Sequence, residues 1–263
     1  MFPEGIPERY DRWLQTPGGS LALQLQHRLL LELIEPQPGE TLLDVGCGTG
    51  ETLRLLSGLG VRGTGLDHSA GMLVAARRKL GRVPLVRGDA ADLPFPDASF
   101  DIGVLNGTLE FVGNPAAAVA ELARVSRRCV YIGVLNRWSL LSAHHHIQAL
   151  RRETIAARAR FFTVGELFRF LDEAGTTGWR WGGVPYVPND LSRLTVVRRV
   201  ADAASGWPNP FAAYLGCAAR IEQGEPVMIL TRRPVRLSAT AAPAIAMSGV
   251  RQRCAAGQHS AAV

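Results

Sequence analysis

Leu42-Leu43-Asp44-Val45-Gly46-Cys47-Gly48-Thr49-Gly50 is the stretch that decides the fold. A short apolar run reads as a buried strand, three alternating glycines follow it, and the residues from Glu51 through Leu56 read as a helix. A glycine turn between strand and helix lets the backbone pass close to a ligand, with the N–H groups of the helix start facing it. The spacing rules out two phosphate-binding loops. The dinucleotide fingerprint G-x-G-x-x-G would need a glycine at Glu51, counting from Gly46, or at Leu53, counting from Gly48. The phosphate loop ending G-K-[ST] needs a lysine, and Lys79, the only lysine in the chain, stands in Arg77-Arg78-Lys79-Leu80, inside an expected helix. Glu51 beside the loop also disfavours a pyrophosphate. The crevice suits a nucleoside-like ligand without phosphate.

Outward from this stretch, short apolar runs alternate with helical segments. Val61 to Leu66 reads as a second strand, and Ser69 caps a helix ending near Leu80 and Gly81. Pro84 to Val86, Phe100 to Leu105 and Cys129 to Leu135 read as further strands, with Asn114-Pro115 opening an alanine-rich helix between the last two. Upstream, Ser20 to Ile34 is an amphipathic stretch that Pro36 and Pro38 end. Downstream, Thr163 and Glu166 form a capping-box pattern, with a helix to Ala174 and a stop at Gly175. Trp179 to Tyr186 and Val227 to Thr231 read as the closing strands, with Val187 to Pro226 as an insertion between them. Such alternation means an α/β fold whose mostly parallel sheet is covered on both faces.

Three more stations fall at the carboxyl ends of these strands, where open α/β sheets bind ligands. Asp67 lies 21 residues past Gly46, placed to accept hydrogen bonds from ribose hydroxyls. Asp89, with Ala90 beside it, follows the third strand and can accept from an adenine amino group. Asn106-Gly107-Thr108 follows the fourth strand and points amide groups into the same crevice.

With Gly63-Thr-Gly-Leu-Asp67-His68-Ser69, Met72-Leu73, Gly88-Asp89-Ala90-Ala91-Asp92-Leu93-Pro94-Phe95 and Phe100-Asp101, the chain from residue 38 to 137 resembles class I S-adenosylmethionine-dependent methyltransferases. The branch it is most similar to is the small-molecule one that includes quinone- and biotin-pathway enzymes. The resemblance implies a Rossmann-like, seven-stranded sheet with helices on both faces and an antiparallel last strand, for which Val227 to Thr231 is the candidate. It implies S-adenosyl-L-methionine as cofactor. Gly46, Cys47, Gly48 and Gly50 would line the methionine part, and Asp44 would anchor the loop and the amino group. Asp67 would hold the ribose, His68 and Met72 would flank the adenine, and Asp89 with Ala90 would read its edge. Asn106 would sit beside the methionine moiety, and an aromatic N-terminal residue, Tyr10 before Trp13, would cover the site. Where relatives carry a Leu-Lys-Pro-Gly-Gly-like turn before the fifth strand, this chain has Arg124-Val-Ser-Arg-Arg-Cys129.

Composition bounds the remaining choices. The formal net charge is +6, but 28 of the 29 basic residues are arginine, which points to coding bias rather than a polyanion-binding surface. Beyond Pro234 the chain is Ala/Ser-rich, with Arg236, Arg251 and Arg253 and no acids, so half of the +6 lies in a segment that reads as disordered. The expected organisation is an N-terminal cap segment over 1–38, a methyltransferase domain over 39–235 with lid-like segments 137–162 and 187–226, and the tail 236–263. Cys47, Cys129, Cys217 and Cys254 are scattered without CxxC pairing, so neither a disulfide framework nor a metal site is expected, and a cytoplasmic location is. No apolar run reaches the ~18 residues of a membrane helix.

Methyl transfer from a sulfonium needs alignment above all, and a general base only for a weakly acidic acceptor. Glu110 is a candidate base facing the acceptor, or else a helix-start charge in solvent. His144, His145 and His146 are further candidates, but on a helix consecutive residues fan out by about 100° and cannot address one proton or metal together. The expected activity is methyl transfer to a small-molecule or lipid-like acceptor, with Leu140, Leu141, Phe161, Phe162, Trp179, Trp181 and Tyr186 as apolar lid residues. RNA or protein methylation is the alternative, through Arg151-Arg152, Arg158, Arg160 and Arg198-Arg199. It is disfavoured because no RNA-binding module flanks the domain. A non-catalytic S-adenosylmethionine-binding protein is the third reading.

Overall fold

The computed structural model describes residues 5–139, 159–185, 187 and 191–222. Their elements, in chain order, are α1 (Ile6–Leu14), α2 (Pro17–Ile34), β1 (Thr41–Val45), α3 (Glu51–Ser57), β2 (Arg62–Asp67), α4 (Ala70–Leu80), β3 (Leu85–Arg87), β4 (Phe100–Asn106), a 3-10 turn (Leu109–Phe111), α5 (Pro115–Val125), β5 (Ser126–Leu135), α6 (Val164–Glu173), β6 (Thr176–Val184), α7 (Thr195–Ala204) and β7 (Tyr214–Ile221). The seven strands form one sheet in the order β3-β2-β1-β4-β5-β7-β6. Strands β1 to β5 pair in parallel, and β7 runs antiparallel to both β5 and β6. The strand order reverses between β1 and β4, so the carboxyl ends of these two strands open a crevice.

The sheet is apolar on both faces because it is covered on both. Leu42 of β1 packs with Leu30, Ile34, Leu53 and Leu56 from α2 and α3, whereas Leu43 and Val45 pack on the other face in the cluster that also holds Leu122 of α5 and Leu167 and Leu171 of α6. The helix starts are capped as their sequences require: Ser69 Oγ accepts from Met72 N–H, Asn114 Oδ1 from Ala117 N–H, and Thr163 with Glu166 closes a full capping box.

Four expectations are corrected. The antiparallel strand is Tyr214–Ile221, inside the span expected to be an insertion; that span also holds α7, and Val227 to Thr231 lies outside the described residues. Its Ala/Gly-rich run carries little strand propensity, yet small residues are needed there. A Cβ on Gly216 would come within 2.7 Å of Leu29 Cδ2 on α2 and of Tyr131 Oη. Second, the polar N-terminal lead-in contains a helix, α1, before α2. Third, α5 passes into β5 at Ser126 without an intervening turn, three residues earlier than the expected Cys129. Fourth, the expected lid aromatics pack elsewhere: Phe161 and Phe162 are buried, and Trp179 stacks on Phe168 of α6 with ring centroids 4.9 Å apart. Leu140, Leu141, Tyr186 and the tail lie outside the described residues.

Candidate active site

The glycine loop leaves β1 with three left-handed residues, Gly46 at φ 74°, Gly48 at 53° and Gly50 at 90°, which carry the chain back against the sheet end. At Gly46 the approach is close: a Cβ would lie 2.3 Å from Thr108 Cγ2, and Thr108 Oγ1 donates to Val45 O at 3.0 Å. At Gly48 a Cβ would meet nothing within 4 Å, so this residue presents bare backbone to the crevice.

Asp67, at the end of β2, ties loop and helix together. Its Oδ2 accepts from Gly48 N–H at 2.9 Å and its Oδ1 from Ser69 N–H at 2.8 Å. Each oxygen keeps a second lone pair for a ligand hydroxyl. Burial pushes this carboxyl above its ordinary range, opposed by those two backbone bonds. Asp44 is 1% exposed, and among the described residues its Oδ2 has no hydrogen-bond partner. Desolvation first and the Asp67 charge second push it up to about 7. That oxygen is free to accept a hydrogen bond from a cationic or N–H group.

The other expected residues are distributed around this point. Cys47 is buried, its N–H bound to Leu66 O at 3.0 Å, its carbonyl accepting from Gly50 N–H at 2.9 Å, and its Sγ directed at Gly65. His68 is exposed and Met72 half-buried at the end of β2 and the start of α4. Asp89 is exposed, with Oδ1 accepting from Ala91 N–H, and Ala90 is buried beside it. Asn106 Nδ2 donates to Thr52 Oγ1 at 3.3 Å, and its Oδ1 accepts from the Tyr214 hydroxyl.

Next to Asn106 lies a cavity of about 160 Å³. Its apolar wall is Tyr10, Trp13, Leu23, Phe111, Leu135 and Tyr214, and its polar points are Gln26, Glu51, Thr52, Asn106 and Glu110. Tyr10 and Trp13 of this wall come from α1. Part of Tyr10 meets solvent, but burial at its phenol end, with the Glu51, Asp11 and Asp44 charges, pushes it up to about 12. Glu51, read as hostile to phosphate, is paired with Lys79 at 2.8 Å and Arg54 at 3.0 Å and held below its ordinary range.

Glu110 contradicts its solvent reading. It is 3% exposed, its Oε1 accepts from Leu135 N–H at 2.7 Å, and its Oε2 has no partner among the described residues. Desolvation pushes it up to about 7. The 3-10 turn at Leu109–Phe111 rotates it inward, where charge alone would have put it outside. His144, His145 and His146 lie outside the described residues. Sequence reasoning missed Tyr214, because its strand was misplaced, and Leu23 and Gln26, which share one face of α2.

Residues 43–132 match the family described as "Methyltransferase domain". Over 125 residues the chain is 42% identical to a demethylmenaquinone methyltransferase of Corynebacterium kroppenstedtii, covering 48% of this chain and 53% of that protein. Over another 125 it is 41% identical to a malonyl-[acyl-carrier protein] O-methyltransferase of Serratia marcescens, covering 47% and 49%. The chain thus spans about half the length of the curated relatives it matches. The fold matches a SAM-dependent methyltransferase structure from Thermotoga maritima with a TM-score of 0.66 at 21% identity, covering 82% of this chain and 96% of that one. Residues 43–132, which hold the glycine loop and the acidic ends of β2 and β3, thus resemble the methyltransferase-domain family, and the seven-stranded sheet has the Rossmann-like fold of the solved methyltransferase.

Proposed function

We propose that this chain is an S-adenosylmethionine-dependent methyltransferase acting on a small, largely apolar acceptor. The observation that carries the proposal is the set of groups at neighbouring strand ends: open space over Gly48 after β1, the Asp67 carboxylate ending β2, the unpartnered buried Asp44 oxygen in β1, and an apolar cavity lined by Asn106 at the end of β4. Relatives named as methyltransferases of demethylmenaquinone and malonyl-[acyl-carrier protein] support it.

The cofactor supplies a methyl group on a sulfonium, already activated for displacement. The residues present fit it. Gly46, Cys47, Gly48 and Gly50 would line the methionine part, Asp44 would take the amino group, and Asp67 would take the ribose hydroxyls. Asp89 with Ala90 would read the adenine edge, and His68 and Met72 would flank the ring. Asn106 is held rigid between Thr52 and Tyr214, beside the methionine end. Tyr10 and Trp13 turn aromatic surface toward the cavity, where a sulfonium gains cation–π attraction. Apolar walls exclude water, and orientation can supply several kcal/mol of rate enhancement.

No arginine, lysine or histidine lines the cavity among the described residues, which supports a small neutral acceptor over a nucleic acid. The test is incubation of the protein with methyl-labelled S-adenosylmethionine and separated small-molecule, RNA and protein fractions of a bacterial extract. Label in the small-molecule fraction is expected, and label confined to RNA or protein would overturn the acceptor class.

A further inference from the structure

Glu110 is the one polar group of the cavity with a buried oxygen that nothing described satisfies. Its other oxygen is fixed by Leu135 N–H at 2.7 Å, and its backbone oxygen accepts from Arg160 N–H at 2.9 Å, so the carboxyl is held in place at both ends of the residue. Resting on the methyltransferase reading above, we propose that Glu110 Oε2 takes the acceptor's proton, and that the acceptor is a neutral molecule with a phenol-like hydroxyl on an apolar body.

The chemistry of the cavity narrows the acceptor by charge. The ionisable groups lining it are Tyr10 from α1, Glu51 at the start of α3, Glu110 and Tyr214 from β7. None of these is a cation. Glu51 is already committed to Lys79 and Arg54, and the Arg160 guanidinium lies over the Phe162 ring and beside Glu166. A carboxylate acceptor would therefore find no countercharge among the described residues beside Glu110, and with S-adenosylhomocysteine bound, where the sulfonium charge is gone, it would sit there at a Coulombic cost that a low-dielectric wall magnifies. An ammonium would be retained by Glu110 in its protonated, non-nucleophilic form. A hydroxyl is the group that gains from a lone buried base, because its oxygen becomes a strong nucleophile as the proton leaves.

The step balances. The O–H bond breaks as its proton passes to Glu110 Oε2, and the oxygen forms a bond to the methyl carbon. The carbon–sulfur bond breaks with its electron pair going to sulfur, which turns the sulfonium into a neutral thioether. Glu110 returns the proton to water when the ether leaves. Burial, which raises the Glu110 carboxyl, makes it a better base toward a weak acid than an exposed glutamate.

The probes are 4-methylphenol, 4-methylbenzoate and 4-methylbenzylamine, which share a body and differ in the reacting group. They are titrated at about pH 8 into the full chain loaded with S-adenosylhomocysteine, where Glu110 is ionised. The phenol is expected to bind at least about tenfold tighter than the benzoate, and Glu110→Gln is expected to remove most of that gap. With S-adenosylmethionine instead, 4-methylanisole should form, and Glu110→Gln should slow it by about a hundredfold or more while leaving S-adenosylhomocysteine affinity within about twofold. Glu110→Asp, which keeps the charge but withdraws the oxygen, should keep the anion exclusion and lose the rate. Equal affinity for phenol and benzoate, preferential methylation of the amine, absence of the anisole, or a Glu110→Gln rate equal to wild type would each overturn this inference alone. Failure of the wild-type chain to bind S-adenosylhomocysteine would instead overturn the reading beneath it.

Discussion

Lys79 Nζ donates to Asp11 Oδ1 at 2.7 Å and so ties the last turn of α4 to α1. The same ammonium reaches Glu51 Oε1 at 2.8 Å and Thr49 Oγ1 at 3.0 Å, and Thr49 donates to Asp11 at 2.8 Å. The only lysine in the chain thus fastens α1, which carries Tyr10 and Trp13, to the glycine loop and to the start of α3. Its side chain is 27% exposed, so screening reduces but does not remove the bonds. We predict that Lys79→Met weakens S-adenosylhomocysteine binding by about three- to tenfold, equivalent to ~0.7–1.4 kcal/mol. Calorimetry at low and high salt checks it. An affinity unchanged at low salt would show that α1 stays in place without the clamp.

Gly46 and Gly48 share positive φ but differ in surroundings, which separates folding from binding. Gly46→Ala drives a methyl group into Thr108 and should cost ~2–4 kcal/mol, strain included. Gly48→Ala meets open space and should cost only ~1 kcal/mol of stability. On the proposed binding mode that space is the ligand's, so Gly48→Ala should nevertheless weaken S-adenosylhomocysteine binding by about tenfold or more. Thermal melts and calorimetry on both variants provide the comparison. A Gly48→Ala chain with full affinity would move the ligand away from the loop.

The glycine turn and the placement of Asp67 and Asp89 at or just past strand ends were legible in the sequence, because alternating glycines after an apolar run meet a backbone demand that few sequences can meet another way. The caps at Ser69, Asn114 and Thr163 were legible for the same reason. What escaped was set by tertiary packing. The run from Ala212 to Ile221 is rich in alanine and glycine, with Leu29 of α2 pressed onto Gly216, so its strand signal is weak, and Tyr214 was hidden with it. Glu110 was half-legible: its position after β4 was plain, but only the turn at Leu109–Phe111 shows that it faces inward.

Burial of Glu110 has a pH signature. Its carboxyl is raised to about 7 in the folded chain, so the folded state holds its proton more tightly than the unfolded state does. The stability it permits is full below the unfolded value of about 4.3 and declines as pH rises toward 7, where the buried charge must be tolerated. Glu110→Gln, which can still accept from Leu135 N–H, should therefore stabilise the chain at about pH 8 by ~1–3 kcal/mol and have little effect near pH 5. Denaturant melts at the two pH values measure this. A destabilisation at the higher pH would mean that the ionised carboxylate has a favourable partner.

On the proposed reading the crevice between β1 and β4 holds S-adenosylmethionine, with Asp67 on the ribose. The most direct test is calorimetric titration of the chain and of its Asp67→Ala variant with S-adenosylhomocysteine. One-to-one binding to the wild type is expected, with a loss of about tenfold or more in the variant, since two hydrogen bonds to a charged group disappear. No detectable binding to the wild type, or equal binding to both, would contradict it.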